Sequence, residues 1–536
     1  MTLISPTPII SENARQGRNP GVVVRFAEMD SFAGQIVAAA LVRSFTAAQV
    51  TCQPASPAVD VGACAVWINP AEDTADDLSQ LLASGGKAVV LGRIGPRVAQ
   101  TLGLQWHGSL PPAADWAACR PDATSHHDES PARIEYVAAH PLATLSPHRR
   151  RPLCRFDFAD EWNNLGYGRI TASGDDWSLQ TAVTFATAMP LARLALPGDR
   201  RLAYAALYET PRGAALWFNR PVGPVDSLEW RVVESFLSDY RADDLPCLPC
   251  LNEIPAGYRA AVCARLDCDE AVASARPLVD LYRECGVPLS LALLTGQPID
   301  AADIQLLRDV LSAGGSVVPH SVRHEPNWGG SYERAFAEAS ESRAWFERHL
   351  PEAAPVRYAV SPFHQNPPYA VAALADSGYD GFLGGIIAND PEYLLGRAGR
   401  VPFAPQPMVS HSGQCMLHGE CFARYGRSMD VYCASFDQHV SGRAIFGYLD
   451  HPFSSRYQYG WSDEATRVTA HRQLIEHMQR QQGVWWANIV QVLDFLKRRD
   501  ATELFLDSAG RLSIEAPTDA TGPALGIRWK GQDLAA

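Results

Sequence analysis

Val262-Cys263-Ala264-Arg265-Leu266-Asp267-Cys268-Asp269, followed later by Val317-Val318-Pro319-His320-Ser321-Val322-Arg323-His324, is the stretch from which the rest of this sequence is read. Each apolar run reads as a short buried strand. Each ends in side chains that bind metals or move protons: an Asp-x-Asp pair in the first, a His-x-x-x-His pair in the second. Two carboxylates and two imidazoles form a hard-to-borderline donor set that suits zinc, with one carboxylate left over as a base. Histidines four apart face the same way on a helical turn.

Outward from that stretch, residues 256–500 alternate strand and helix. Expected strands are Ala260–Asp267, Leu289–Leu294, Ser316–His320, Val356–Val360, Gly381–Gly385 and Ile445–Asp450. The helices between them are Ala271–Cys285, Ala301–Ala313, Tyr332–His349 and Pro368–Ser377, with Asp463–Gln481 after the last strand. A loop-rich insertion is expected over Ile386–Gly442. Repeated β/α units of this length close into a barrel whose working residues lie at the C-terminal strand ends. Asp267, His320 and His451 stand at such ends, and ten of the fifteen histidines fall between His320 and His477. The chemistry is therefore expected in this region.

These residues resemble the motifs of the polysaccharide deacetylases of the NodB homology type, carbohydrate esterase family 4. Asp267-Cys268-Asp269 is similar to the family's first motif. His320-Ser321-Val322-Arg323-His324 matches its H-[ST]-x-x-H motif. Phe446-Gly447-Tyr448-Leu449-Asp450-His451-Pro452 resembles its late histidine motif, and Val484-Trp485-Trp486-Ala487-Asn488 the end of its barrel. The resemblance covers about residues 256–500. It implies a distorted (β/α) barrel and a divalent metal used to remove acetyl groups. Asp269, His320 and His324 are then the metal ligands, with positions left open for water and substrate. Asp267 is the candidate general base and His451 the candidate general acid. Zinc is the expected cation, and cobalt or nickel can replace it.

The match has gaps. The family's R-x-P-[YF] motif supplies an arginine that pairs with the base. Here Tyr358-Ala359-Val360-Ser361-Pro362-Phe363-His364 has no arginine in that place, which leaves Arg265, Arg357 and His364 as possible substitutes or substrate contacts. The fourth motif, which supplies an aromatic wall, is not identifiable; Asn389-Asp390 lies near its place. His411, His418 and His439 of the insertion are cleft candidates or ordinary loop histidines.

The first half reads differently. Gly21–Ala27, Ala63–Ile68 and Lys87–Leu91 are strands, separated by helices Phe32–Phe45 and Thr74–Ala83. That pattern is an open α/β module, Rossmann- or amidotransferase-like. No G-x-G-x-x-G and no G-x-x-x-x-G-K-[ST] follows the first strand, so nucleotide binding has little support. Further strands are expected at Arg133–Val137, Thr181–Ala186, Leu202–Tyr208 and Ala214–Asn219, with a helix over Ser227–Tyr240. The expected organisation is a flexible N-terminus (1–20), an accessory α/β domain (21–245), a linker (246–255), the barrel (256–500) and a β-rich appendage (501–536).

Composition narrows the partners. An apolar content of 47% and a charged content of 20% over 536 residues describe a globular chain of several domains. A net charge of −13 argues against nucleic-acid and anionic-membrane partners. No run reaches the ~18 apolar residues of a membrane span; Thr181–Leu196 comes nearest and is broken by Pro190 and Arg193. Met1–Pro20 lacks the features of a signal peptide, and dispersed cysteines fit a reducing compartment, so a cytoplasmic location is expected. The sequence leaves oligomeric state open. The expected function is metal-dependent de-N-acetylation of an amino sugar or glycan, within surface-polysaccharide (lipopolysaccharide O-antigen or capsule) synthesis. The alternatives are a deformylase or other amidohydrolase on a small sugar-linked substrate, and a non-catalytic glycan-binding protein.

Overall fold

A computed structural model describes residues 21–536, apart from 55–62, 111–131, 139, 148, 154–174, 226, 385–396, 403, 412–413, 425, 455–456, 508 and 519–520. The N-terminal segment 1–20 and Asn389-Asp390 lie outside the described residues. The fold is mixed α/β.

The first half is built on one nine-stranded sheet. Five strands run parallel, in the order Val50–Pro54, Val22–Phe26, Cys64–Ile68, Lys87–Leu91 and Ala214–Phe218. The sheet then continues antiparallel through Arg201–Glu209, Met189–Ala195, Arg133–Tyr136 and Arg150–Pro152. The central parallel strands are continuous apolar runs because helices cover both faces. Ser31–Phe45 packs into one core and Thr74–Ala83 into the other. The near-membrane run Thr181–Leu196 is divided between two strands, Thr181–Phe185 and Met189–Ala195.

In the second half, parallel strands Ser316–Pro319, Ser290–Leu293, Ala260–Cys268, Ile445–Asp450 and Gln414–Met416 lie side by side, and Val484–Trp486 joins the start of Ala260–Cys268. A separate four-stranded sheet runs Tyr358–Val360, Gly381–Leu383, Val409–Ser410, Gly399–Arg400. Among the described residues the ladder is thus not one closed ring. Between Ser316–Pro319 and Tyr358–Val360 a side chain makes the connection: His320 Nδ1 faces Val360 O at 3.0 Å.

The segment 246–255, expected as a linker, contains the fully buried strand Cys250–Pro255, antiparallel to Leu525–Trp529. The strand's one proline, Pro255, ends an edge strand, which tolerates it there. The insertion is also richer in structure than expected, and it contains the thirteen-residue helix Asp430–Gly442. That helix buries Tyr432, Ser435, Phe436, His439 and Val440. The spacing is helical, but two of the five are polar, so hydropathy alone conceals the stripe.

The two halves share a buried seam of charge. Glu234, on helix Trp230–Ser238, faces Arg397 through both carboxylate oxygens (3.2 and 3.1 Å), accepts from Ser44 Oγ at 2.7 Å and stands 3.8 Å from Arg528. Burial pushes its carboxyl up, but Arg397 and Arg528 outweigh this and hold it at about 2, below its ordinary 4.5. A depressed carboxyl stabilises the fold above its unfolded pKa, and that stability is lost as pH falls through the folded value. Replacing Glu234 by Gln should therefore destabilise the protein at neutral pH by about 3 kcal/mol. The deficit relative to wild type should shrink between pH 4.5 and 2. Urea titrations of both proteins across that range would measure it.

Candidate metal centre

The strand Ala260–Cys268 carries the site because of its alternation. Ala260, Val262, Ala264, Leu266 and Cys268 belong to one core cluster, while Ala261 and Cys263 belong to another. Side chains two apart share a face, so Arg265, Asp267 and Asp269 follow Ala261 and Cys263 to the inner side. Charges there are costly to bury unless paired. Arg265 Nε donates to Asp267 Oδ1 at 2.7 Å, and Nη2 to Oδ2 at 3.3 Å, with both side chains only 1% exposed.

The two histidines converge without a helix. Residues 321–325 form a bend, and Ser321 and His324 take left-handed backbone (φ of 66° and 52°). Ser321 Oγ accepts the His324 N–H at 3.1 Å, and Glu338 Oε2 accepts from Val322 and Arg323 N–H at 2.7 and 2.9 Å. This turn, rather than helical periodicity, brings both imidazoles to Asp269. Left-handed backbone at non-glycine residues is uncommon and concentrates at functional sites. Phe363 and His364, whose loop also borders the site, share it (51° and 57°).

Asp269 Oδ1 lies 3.4 Å from His320 Nε2 and 3.6 Å from His324 Nε2, and the two Nε2 atoms are 3.1 Å apart. Three ligands at about 2.0–2.2 Å from one tetrahedral ion are about 3.4 Å from each other. Asp269 Oδ1 is buried and makes no hydrogen bond among the described residues. His320 Nδ1, directed at Val360 O, is the protonated nitrogen, which leaves the Nε2 lone pair for a cation. Burial, reinforced by the neighbouring His320, brings His324 down to about 4, a neutral ring at ordinary pH. Among the described residues this trio is the group of donors able to hold an ion, and the donor set fits a divalent metal.

The other expected residues separate cleanly. Burial raises the Asp267 carboxyl, yet Arg265, His320 and His451 outweigh that and hold it well below the usual carboxylate range. His451 Nε2 stands 3.9 Å from Asp269 Oδ2. His364 Nδ1 faces Arg265 Nη2 at 3.5 Å; because a guanidinium only donates, Nδ1 is the acceptor. Burial, then Arg265, brings this ring down to about 3, so it is neutral. Arg357 is not part of the site: its guanidinium pairs with Asp494 at 2.9 Å. His439 is buried in its helix with Nδ1 on Ser435 O at 2.7 Å.

Several neighbours had no sequence signal strong enough to single them out. Tyr459 stacks on His451. Phe363 lies against His324, with ring centroids 4.5 Å apart. Asp450 accepts the His451 N–H and faces His471 Nε2 at 2.9 Å. His471 Nδ1 in turn meets the Tyr282 hydroxyl at 3.0 Å, which donates to Tyr448. Arg265, one of the three substitutes named for the family's arginine, is the one that pairs with Asp267, two residues on along the same strand face.

No protein-family model and no curated relative matches this sequence. Solved structures do resemble it. Agd3, described as a novel carbohydrate deacetylase, aligns over 94% of this chain and 92% of its own, at 11% identity and a TM-score of 0.43. The family 4 carbohydrate esterase from Streptomyces lividans, solved with acetate, aligns over 45% of this chain and 95% of its own, at 12% identity and a TM-score of 0.28. A family 4 acetyl xylan esterase from Clostridium thermocellum, solved with a cobalt ion, covers 44% and 91%, at 11% identity and a TM-score of 0.30. Over a segment, and at low sequence identity, the chain is structurally similar to the NodB-like polysaccharide deacetylases of carbohydrate esterase family 4.

Proposed function

We propose that this protein is a metal-dependent carbohydrate de-N-acetylase that hydrolyses an acetamido group on an amino sugar or glycan. The observation that carries the reading is the convergence of Asp269, His320 and His324 on one point, with the buried Arg265–Asp267 pair beside it. The carbohydrate class rests on the motif resemblance of those residues. The same reading takes the two sheets of residues 256–500 as one distorted barrel, interrupted where His320 meets Val360.

Asp269, His320 and His324 would hold the cation. A divalent metal bound there supplies Lewis acidity, lowering the pKa of a water and polarising the amide carbonyl. Asp267 accepts the water's proton as the general base. Arg265 keeps that carboxylate ionised in a buried place and fixes its plane through two hydrogen bonds. His364 packs behind the guanidinium as a neutral acceptor, adding no competing charge. His451, on the other side of Asp269, gives a proton to the departing amine.

The test is acetate release from N-acetylated amino sugars and oligosaccharides, read beside the metal content of the purified protein. Asp267→Asn should keep its metal and lose turnover by about a hundredfold or more. His320→Ala should lose the metal itself. Metal-replete wild type that releases no acetate would sink the proposal, and release of formate from N-formyl sugars in its place would move the assignment to a deformylase.

Arg265→Met gives a second, sharper expectation. Without the guanidinium the Asp267 carboxyl rises. The acid limb of the kcat/KM profile should then move to higher pH, because the base must be ionised to act. An unchanged acid limb would show that Arg265 serves the strand rather than the base.

A further inference from the structure

Among the described residues, no hydrogen-bond partner reaches the buried Nδ1 of His451, the nitrogen through which a catalytic histidine is usually oriented. The adjacent carboxylate is already committed: Asp450 Oδ1 accepts the His451 N–H at 2.8 Å, and Oδ2 faces His471 Nε2 at 2.9 Å. Arg467 donates to the His451 carbonyl. These contacts fix the backbone of residue 451 and do not reach its ring.

What meets the ring is Tyr459. The two rings are parallel, 7° apart, with centroids separated by 4.1 Å. Tyr459 is itself held on several sides. Its backbone is left-handed (φ of 49°), and its carbonyl accepts the Gly419 N–H at 2.9 Å. Its ring also touches that of Tyr457, with centroids 4.6 Å apart. The loop containing it is pressed against the loop at His418 so closely that a Cβ on Gly419 would come within 2.1 Å of the Gly460 carbonyl carbon. A side chain constrained in this way presents a fixed flat surface.

We propose that Tyr459 is the positioning residue of His451: the face of the phenol ring, rather than a carboxylate on Nδ1, holds the imidazole with Nε2 toward Asp269. The inference rests on reading His451 as the general acid. Face-to-face aromatic contact restricts rotation about χ2. Because the ring face does this, the hydroxyl of Tyr459 is dispensable.

Three variants test it: Tyr459→Phe keeps the face and removes the hydroxyl, Tyr459→Leu removes the face, and Tyr459→Gln removes the face should the leucine variant fail to fold. Loss of a contact that steadies the acid only in the reacting geometry should lower kcat by about tenfold or more and leave KM and metal content near wild type. Tyr459→Phe should restore kcat to within about threefold of wild type. Crystal structures of the metal-loaded variants give a readout independent of turnover. In Tyr459→Phe the His451 ring should keep Nε2 toward Asp269, and in Tyr459→Leu or Tyr459→Gln it should turn away or occupy several positions. Full kcat without the ring, or an unmoved imidazole in those crystals, would overturn the inference. A phenylalanine variant as poor as leucine would overturn it too, by assigning the effect to the hydroxyl. If metal-loaded wild type released no acetate, the proposed function would fail, and the crystal structures would still decide whether Tyr459 positions the ring.

Discussion

A guanidinium and a carboxylate two residues apart on a fully buried strand set the terms for the second half of the molecule. Arg265 and Asp267 share the inner face of Ala260–Cys268, where each side chain is only 1% exposed. Desolvating either alone costs several kcal/mol. Placed together, with two hydrogen bonds between them, they turn that cost into a fixed anion beside the three converging donors. The strand accommodates this pair because it is secured on every side. It hydrogen-bonds to Ser290–Leu293, Ile445–Asp450 and Val484–Trp486, and its outer face is wholly apolar.

The remaining donors come from backbone that ordinary periodicity does not produce. His320 ends a strand, and His324 returns to it through left-handed turns at Ser321 and His324 that Glu338 and Ser321 hold by accepting backbone N–H groups. The opposing loop, at Phe363 and His364, is bent in the same sense. Such conformations cost free energy and persist only when their surroundings overdetermine them. Here the gap between two sheets and the His320–Val360 contact supply that constraint.

What the sequence made legible follows from these facts. Asp269, His320 and His324 could be grouped because their motifs are short and stand after apolar runs. Their convergence was expected for the wrong geometric reason, a helical turn, when a bend achieves it. Arg265 could be placed by counting two along a strand. Arg357 could not be excluded in that way, since its partner Asp494 lies on a distant helix. Tyr459 and His471 reach the site through tertiary packing, for which a linear pattern has no sign. The helix Asp430–Gly442 stayed hidden because its buried face includes a serine and a histidine, whose polarity is satisfied inside the fold.

The strand Cys250–Pro255 lies in the segment expected as a linker, and it is bonded into the second half. Glu253 on that strand accepts backbone N–H groups from both Ala398 and Ile445. Arg499 donates to the carbonyls of Leu251 and Asn252. Arg43, from the first half, reaches the carbonyls of Gly399 and Arg400 in the second. Side chains that bond across the seam therefore tie the two halves together. Cut free, the second half would leave Arg397 and Arg528 without the Glu234 carboxylate, so the first half contributes a counter-charge to the stability of the second.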